Sequence, residues 1–186
     1  LGIIESVSKE VFMPMTIGGK IKNFHDIEKR LLLGADKIAI NTEAYKDNNF
    51  IESAAKEFGS QCIVVSMDVK NTPQGNSVFT SFGKEDTGHD PLYWSKRMES
   101  SGAGEILLNS IDRDGTGKGY DIQLLDQISS ACKCPIIALG GAGEWDHFKE
   151  ALDKTGVDSV AAANVFQYTD QSVYMAKKYL VSNECN

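Results

Sequence analysis

The sequence predicts a parallel α/β fold assembled from repeated strand–helix units. The first observation is an internal repeat, because Gly18-Gly19 returns 122 residues later as Gly140-Gly141. At the same offset the Gly-Ala-Asp at 34–36 returns as the Gly-Val-Asp at 156–158. The second observation is that short apolar runs alternate with amphipathic segments along the chain, which is the pattern of βαβ units in a parallel sheet.

Six strands are predicted because their sequences are short and continuously apolar, as in strands covered on both faces. The runs IVVSMDV, ILLNSI and IIALGG are the clearest of them. The predicted strands are 13–19, 37–41, 62–69, 105–111, 135–141 and 159–166.

Helices are predicted between the strands from capping and stop signals. Asn23 precedes one helix as a candidate N-cap and Gly34 ends it, while Asp90-Pro91 opens another with proline in its first turn. The predicted helices are 24–33, 49–58, 92–101, 122–132, 145–154 and 170–180, and residues 1–10 are predicted to end a further helix.

This series of units predicts most of a (β/α)8 barrel, and an open doubly wound sheet is the competing architecture. The duplication favours the barrel, because an offset of 122 residues suits four units of a fold with ~250 residues. We expect one domain over 1–186 that carries the third to eighth strands of the barrel, with strands 1 and 2 missing from its amino-terminal side.

Composition excludes several classes of protein. A net charge of −7 is unfavourable for general nucleic-acid binding, and no apolar run approaches the ~20 residues of a membrane span. The four cysteines form no C-x-x-C pair or zinc spacing, so we expect reduced thiols in a cytoplasmic protein. The sequence predicts no metal site.

Phosphate binding is predicted at the two glycine loops, Gly18-Gly19 and Gly140-Gly141. Glycine lets the backbone approach a phosphate closely, and the following helix supplies N–H groups. The alternative is that these turns need glycine for conformation alone. Two loops at repeated positions favour a substrate with a phosphate at each end.

Asp68 is the catalytic candidate, because it ends an apolar strand where the active sites of such barrels lie. Desolvation there raises a carboxyl pKa and suits it to acid–base chemistry. The alternative is a carboxylate that caps a loop or pairs with Lys70. His25 and His147 are expected to have surface or capping roles. Other residues at the strand ends are Lys20, Asn41, Thr42, Asp112, Arg113, Asp114, Gly115, Thr116, Ala163 and Asn164.

The chain resembles the cyclase subunits of imidazole glycerol phosphate synthase. The resemblance spans all 186 residues and is carried by the segments GADKIAINTEA, FGSQCIVVSMDVK, GAGEILLNSIDRDGTGKGYD and PIIALGGAG. It implies a barrel of two half-barrels that takes ammonia from a glutaminase docked at the barrel bottom. The ammonia would join a bisphosphorylated ribulosyl-aminoimidazole, giving imidazole glycerol phosphate and an aminoimidazole carboxamide ribotide, with no cofactor.

The resemblance also implies roles for individual residues. Asp68 matches the family's acid–base aspartate, whose partner on the first strand is not in this sequence. Lys37 and Glu105 match the charged ring at the ammonia entrance, although a rim ion pair that serves stability is the alternative. Asp36 matches a position at the glutaminase interface. The phosphate sites are implied at Gly19, Asn41 and Thr42, and at Asp114, Gly115, Gly140 and Gly141.

Three departures from the family pattern lie in or beside the phosphate loops. Lys20 replaces a glycine, Leu139 replaces a residue that commonly carries a hydroxyl, and Ala163-Asn164 stands in a segment that usually contains serine. These changes resemble a paralogous branch associated with amidation of surface-polysaccharide sugars. A non-catalytic barrel that activates a glutaminase is the third hypothesis.

Overall fold

The structure, a computed structural model, describes residues 2–167 and 172–183. Within these residues the strands alternate with helices along the chain. The strands are β1 (Thr16–Gly18), β2 (Lys37–Ile40), β3 (Ile63–Thr72), β4 (Gly75–Thr80), β5 (Glu85–Asp86), β6 (Glu105–Ser110), β7 (Ile136–Leu139) and β8 (Ser159–Val160). The helices are α1 (Gly2–Ser8), α2 (Phe24–Leu32), α3 (Thr42–Lys46), α4 (Phe50–Phe58), α5 (Pro91–Ser100), α6 (Ile122–Ser129), α7 (Trp145–Lys154) and α8 (Val173–Ser182).

The order of the parallel strands confirms the barrel architecture. Strands β1, β2, β3, β6, β7 and β8 lie side by side in chain order, and every neighbouring pair among them is parallel. A doubly wound sheet would reverse its order at a switch point. Sequential strands with a helix after each are instead the arrangement of a (β/α)8 barrel.

Alternation along the strands separates two faces of the sheet. In β6, Ile106 and Leu108 are fully buried, whereas Glu105, Leu107 and Asn109 are half-buried. Since successive side chains point to opposite faces, the first set packs toward the helices. The second set lies on what we call the inner face, which also carries Lys37, Ala39, Asn41, Ser66, Asp68, Ile137 and Leu139.

The main core lies between the sheet and its helices. Ile38, Ile63 and Ile106 of the sheet and Ile27 and Ile128 of the helices are all fully buried. Burial of each such side chain contributes roughly 1.5–3 kcal/mol. This apolar layer fixes the strands, so the positions of the polar side chains at their carboxyl ends are fixed as well.

The internal repeat is visible as a repeated contact at the start of each unit. Asp36 accepts a hydrogen bond from the Met15 N–H at 2.7 Å, and Asp158 accepts one from the Ile136 N–H at 2.9 Å. In both halves the aspartate thus ties a βα unit to the start of the preceding strand. The Gly-x-Asp motif is therefore structural in both halves.

Several predicted elements differ from the structure. The predicted strand 159–166 ends at Val160, because a 3₁₀ turn (Asn164–Phe166) follows it. The strand predicted at 62–69 continues to Thr72 and pairs with β4 in a hairpin that the sequence analysis missed. Helix α3 was also missed, and α6 is shorter than predicted. The predicted helix start at Asp170 lies outside the described residues.

Candidate active site

Asp68 lies at the centre of a group of polar side chains on the inner face. Asn109 Nδ2 donates a hydrogen bond to Asp68 Oδ1 at 3.0 Å, and Asn41 Nδ2 donates one to Asp68 Oδ2 at 3.3 Å. Asn41 also donates to the Ser66 carbonyl at 3.0 Å. The carboxylate is therefore held from both sides, by the amide of Asn109 on β6 and by that of Asn41 just after β2.

The geometry follows from the strand register. Asp68 and Asn109 are direct partners in the parallel β3–β6 pair, so their side chains point the same way. The sequence analysis named Asn41 but missed Asn109. A polar residue inside the apolar run ILLNSI was the signal that could have found it.

Burial raises the pKa of the Asp68 carboxyl above its ordinary value, because the charged form loses hydration. The Asn109 hydrogen bond opposes this rise, while the negative charge of Asp114 adds to it. A raised carboxyl pKa brings the group closer to the range in which it can both take up and release a proton near neutral pH.

A cavity of about 320 Å³ opens beside Asp68. It brings together Asp68 with four predicted phosphate-site residues, Gly19, Lys20, Asn41 and Thr42. The lining residues that the sequence analysis missed include Lys22, Glu43, Lys46, Ser66, Ser81 and Phe82. We call this space the mouth cavity. Its lining includes the carboxylate residues Asp68 and Glu43 and three lysines.

The loop after β1 is held in an unusual backbone conformation. Gly19 has φ +91° and Lys20 has φ +55°, a region that side chains other than glycine rarely adopt. The buried Arg30 fixes this loop, because its Nη2 donates to the Gly19 carbonyl at 2.8 Å. Since N–H and C=O of a trans peptide point in opposite directions, the Lys20 N–H is directed away from Arg30.

The start of α2 bears on the phosphate site predicted at this loop. The first N–H groups of α2 were expected to face a phosphate. Asn23 instead accepts the Asp26 N–H at 2.9 Å, and the Asp26 carboxylate accepts the Lys22 N–H at 3.0 Å. The N-cap therefore satisfies one N–H group of the first turn of α2, that of Asp26, and the Lys22 N–H just before the helix is satisfied as well. An anion at this loop would be held by the remaining backbone N–H groups and the lysines.

The residues of the second predicted phosphate site lie on loops that contact each other. The Gly119 N–H donates to the Gly141 carbonyl at 2.8 Å, which joins the loop after β6 to the loop after β7. A Cβ added to Gly115 would lie 3.6 Å from Asn164 Nδ2. Asp114, Gly115, Gly140, Gly141 and Asn164 therefore gather on one side of Asp68, and Ala163 lies exposed next to Asn164.

The histidines lie at the edge of this arrangement. His147 Nδ1 accepts the Gly143 N–H at 3.1 Å, which confirms its predicted capping role. His25 is exposed and lies 3.8 Å from Glu28. His147 and His25 thus lie at helix starts, whereas His89 stacks on the Trp94 ring with the ring centroids 5.0 Å apart.

Lys37 and Glu105 form an ion pair at the opposite end of the inner face, where both side chains are partly buried. They come from the first residues of β2 and β6, so the pair lies at the amino ends of the strands. Asp36 is adjacent, and its carboxylate is engaged with the Met15 backbone.

Residues 2–167 and 172–183, which the structure describes, offer neither a metal-binding cluster nor a membrane-spanning helix. They contain no cluster of three His, Cys, Asp or Glu side chains that could hold a metal ion. Among the same residues, no helix is long and apolar enough to cross a bilayer.

Two matches with known proteins bear on the family of the chain. Residues 1–172 match the family described as histidine biosynthesis protein. The chain is also similar to the imidazole glycerol phosphate synthase subunit HisF of Campylobacter concisus (strain 13826), with 44% identity over 181 residues. That alignment covers 97% of this chain and 71% of the relative.

Proposed function

The chain belongs to the histidine biosynthesis protein family, and on that premise we propose that it joins ammonia to a bisphosphorylated ribulosyl-aminoimidazole. The products would be imidazole glycerol phosphate and an aminoimidazole carboxamide ribotide. The observation that carries the proposal is the Asp68 carboxylate, held between two amides beside a cavity that carries lysines. The 44% identity to a HisF subunit supports the same assignment.

In this mechanism Asp68 is the acid–base group. Ammonia adds through its lone pair to the substrate ketone, and the resulting nitrogen must lose protons while the oxygen gains them and leaves as water. A carboxyl with a raised pKa suits these transfers. The amides of Asn41 and Asn109 keep the carboxylate oriented toward the mouth cavity.

The two loop groups are proposed to hold the substrate's phosphates. Gly19, Lys20, Asn41 and Thr42 would bind one phosphate at the mouth cavity. The second would lie on the other side of Asp68, against the residues at 114–115, 140–141 and 163–164. A substrate anchored at both ends keeps its reacting atoms aligned over the carboxyl group. Alignment of reacting groups can lower an activation barrier by up to ~7–11 kcal/mol, and anchoring of the two phosphates would contribute part of that gain.

Ammonia is proposed to arrive from a glutaminase subunit at the amino ends of the strands. The Lys37–Glu105 pair closes the inner face there, and Asp36 lies beside it. Between this pair and Asp68 the inner face is lined by the small or apolar side chains Ala39, Ser66 and Leu107. Such a lining suits an uncharged molecule such as ammonia.

The test is turnover of the bisphosphorylated substrate by the complete protein with two nitrogen sources. We expect product formation with ammonium salt alone, and with glutamine once a glutaminase subunit is added. Failure to form product with either nitrogen source would contradict the proposal. Stimulation of the glutaminase without product would favour the non-catalytic activator.

A second candidate, amidation of a surface-polysaccharide sugar by the same ammonia-delivering barrel, is favoured by Lys20. This residue adopts φ +55° within the predicted phosphate loop and lines the mouth cavity, so its ammonium group changes what that end recognises. Ammonium-dependent consumption of a sugar acceptor, with no reaction of the bisphosphorylated substrate, would establish this alternative.

A further inference from the structure

An unsatisfied oxygen lies next to the Asp68 carboxylate. Among the described residues, two buried side-chain polar atoms lack a hydrogen-bond partner, Thr80 Oγ1 and Asn109 Oδ1. Asn109 is the one of these that contacts Asp68. A buried carbonyl oxygen without a donor is costly, and such atoms call for a physical explanation.

The orientation of Asn109 explains why its oxygen is free. The Nδ2 group must face Asp68, because turning the amide would place two oxygens against each other. The oxygen then points away from Asp68. On the neighbouring strand β7 the register partner of Asn109 is Leu139, which offers no donor.

Gly140 packs closely against this oxygen. A Cβ built on Gly140 would lie 3.0 Å from Asn109 Oδ1, closer than an ordinary contact. Because the oxygen is buried, ammonia is the one of the two proposed reactants that is small enough to approach it. Asn109 further shares its face of β6 with Glu105, four residues earlier and on the side from which ammonia is proposed to enter.

We propose that Asn109 is a positioning residue with two contacts: its amide nitrogen fixes Asp68, and its carbonyl oxygen accepts a hydrogen bond from ammonia as it reaches the mouth cavity. The second contact rests on the proposed function, because it requires ammonia as the nitrogen source. One asparagine would thus orient the acid–base group and the nucleophile relative to each other.

Two variants of the complete protein separate these contacts. Asn109→Leu removes both the donor and the acceptor and keeps the number of heavy atoms and the branch point of the side chain. Asn109→Asp keeps an acceptor oxygen but replaces the donor with a second carboxylate beside Asp68. Asn48→Leu makes the same chemical change at an exposed position away from the cavity and serves as the control.

The first readout is the KM for ammonia, measured with ammonium salt and saturating phosphorylated substrate. Asn109→Leu should raise this KM by about fivefold, as expected for one lost hydrogen bond, and leave the KM for the phosphorylated substrate within twofold. Asn109→Asp should retain an ammonia KM near that of the wild type. An unchanged ammonia KM in Asn109→Leu, or equal increases in both KM values, would overturn the ammonia contact.

The second readout needs no turnover. Carboxyl ¹³C NMR titration of Asp68 should show its pKa rising in Asn109→Leu, because the amide no longer stabilises the anion, and rising further in Asn109→Asp. An unshifted titration would overturn the positioning contact. A wild-type protein without ammonia-dependent turnover would refute the proposed function and the ammonia contact together, while the NMR titration would still decide the positioning contact.

Discussion

Gly19 and Gly141 occupy equivalent positions of the internal repeat and differ in what surrounds them. Both have positive φ, +91° for Gly19 and +105° for Gly141. A Cβ on Gly19 would meet nothing within 4 Å, whereas one on Gly141 would lie 2.1 Å from the Gly119 carbonyl oxygen. Alanine substitution at the two positions therefore separates backbone strain from steric clash.

The expected cost of each substitution follows from these contacts. The positive φ costs alanine about 1–2 kcal/mol at either position. The reduced entropy of the unfolded chain is common to both variants and cancels in the comparison. At Gly141 the Cβ meets backbone, which cannot rotate away, so overpacking adds about 1–3 kcal/mol. We expect Gly141→Ala to lose about 3 kcal/mol and Gly19→Ala about 1 kcal/mol.

Thermal unfolding of the complete protein measures this difference. At about 2–4 °C per kcal/mol for a chain of this size, Gly141→Ala should lower Tm by about 6–12 °C and Gly19→Ala by about 2–4 °C. Denaturant unfolding supplies the free energies directly. Equal losses in the two variants would refute the argument that the loops after β6 and β7 are locked together by the Gly119–Gly141 contact.

Three further outcomes are expected in the complete protein. Arg30→Met removes the donor that fixes the Gly19 carbonyl in the loop after β1, so the KM for the phosphorylated substrate should rise about threefold to tenfold with kcat nearly unchanged. A fall in kcat of the same size would contradict a purely positioning role for Arg30. Asp114→Asn removes a negative charge that disfavours ionisation of Asp68, so the pKa of Asp68 should fall and the acid limb of the kcat–pH profile should move to lower pH; a move to higher pH would contradict the electrostatic account. Glu105→Gln weakens the ion pair at the amino ends of the strands, so glutamine-dependent turnover should change more than ammonium-dependent turnover when the two are measured side by side.

The sheet could be predicted from the sequence because its signals are local. Apolar runs, with glycine after most of the helices between them, predicted the order of the elements, and the repeated Gly-x-Asp predicted the duplication. The proposed phosphate loops and Asp68 were predicted from where those runs end. The predicted helix 145–154 agrees with α7 in both bounds.

The missed features depend on contacts between distant segments. Asn109 is significant only through its register with Asp68, which strand pairing determines. The β3–β4 hairpin lies in a polar stretch without alternation of apolar and polar residues. Ser81 and Phe82 at its end have positive φ values, which the sequence does not predict because neither residue is a glycine. Capping of α2 by Asn23 likewise occupies the Asp26 N–H, one of the helix-start donors that the sequence pattern had assigned to a phosphate.

The central claim is that Asp68 is the acid–base group of an ammonia-dependent cyclase. The most direct test compares the wild type with Asp68→Asn in single-turnover formation of imidazole glycerol phosphate from the bisphosphorylated substrate at saturating ammonium. The account predicts a rate loss of about 100-fold or more with retained binding of the substrate. A variant that turns over at a rate close to that of the wild type would contradict it.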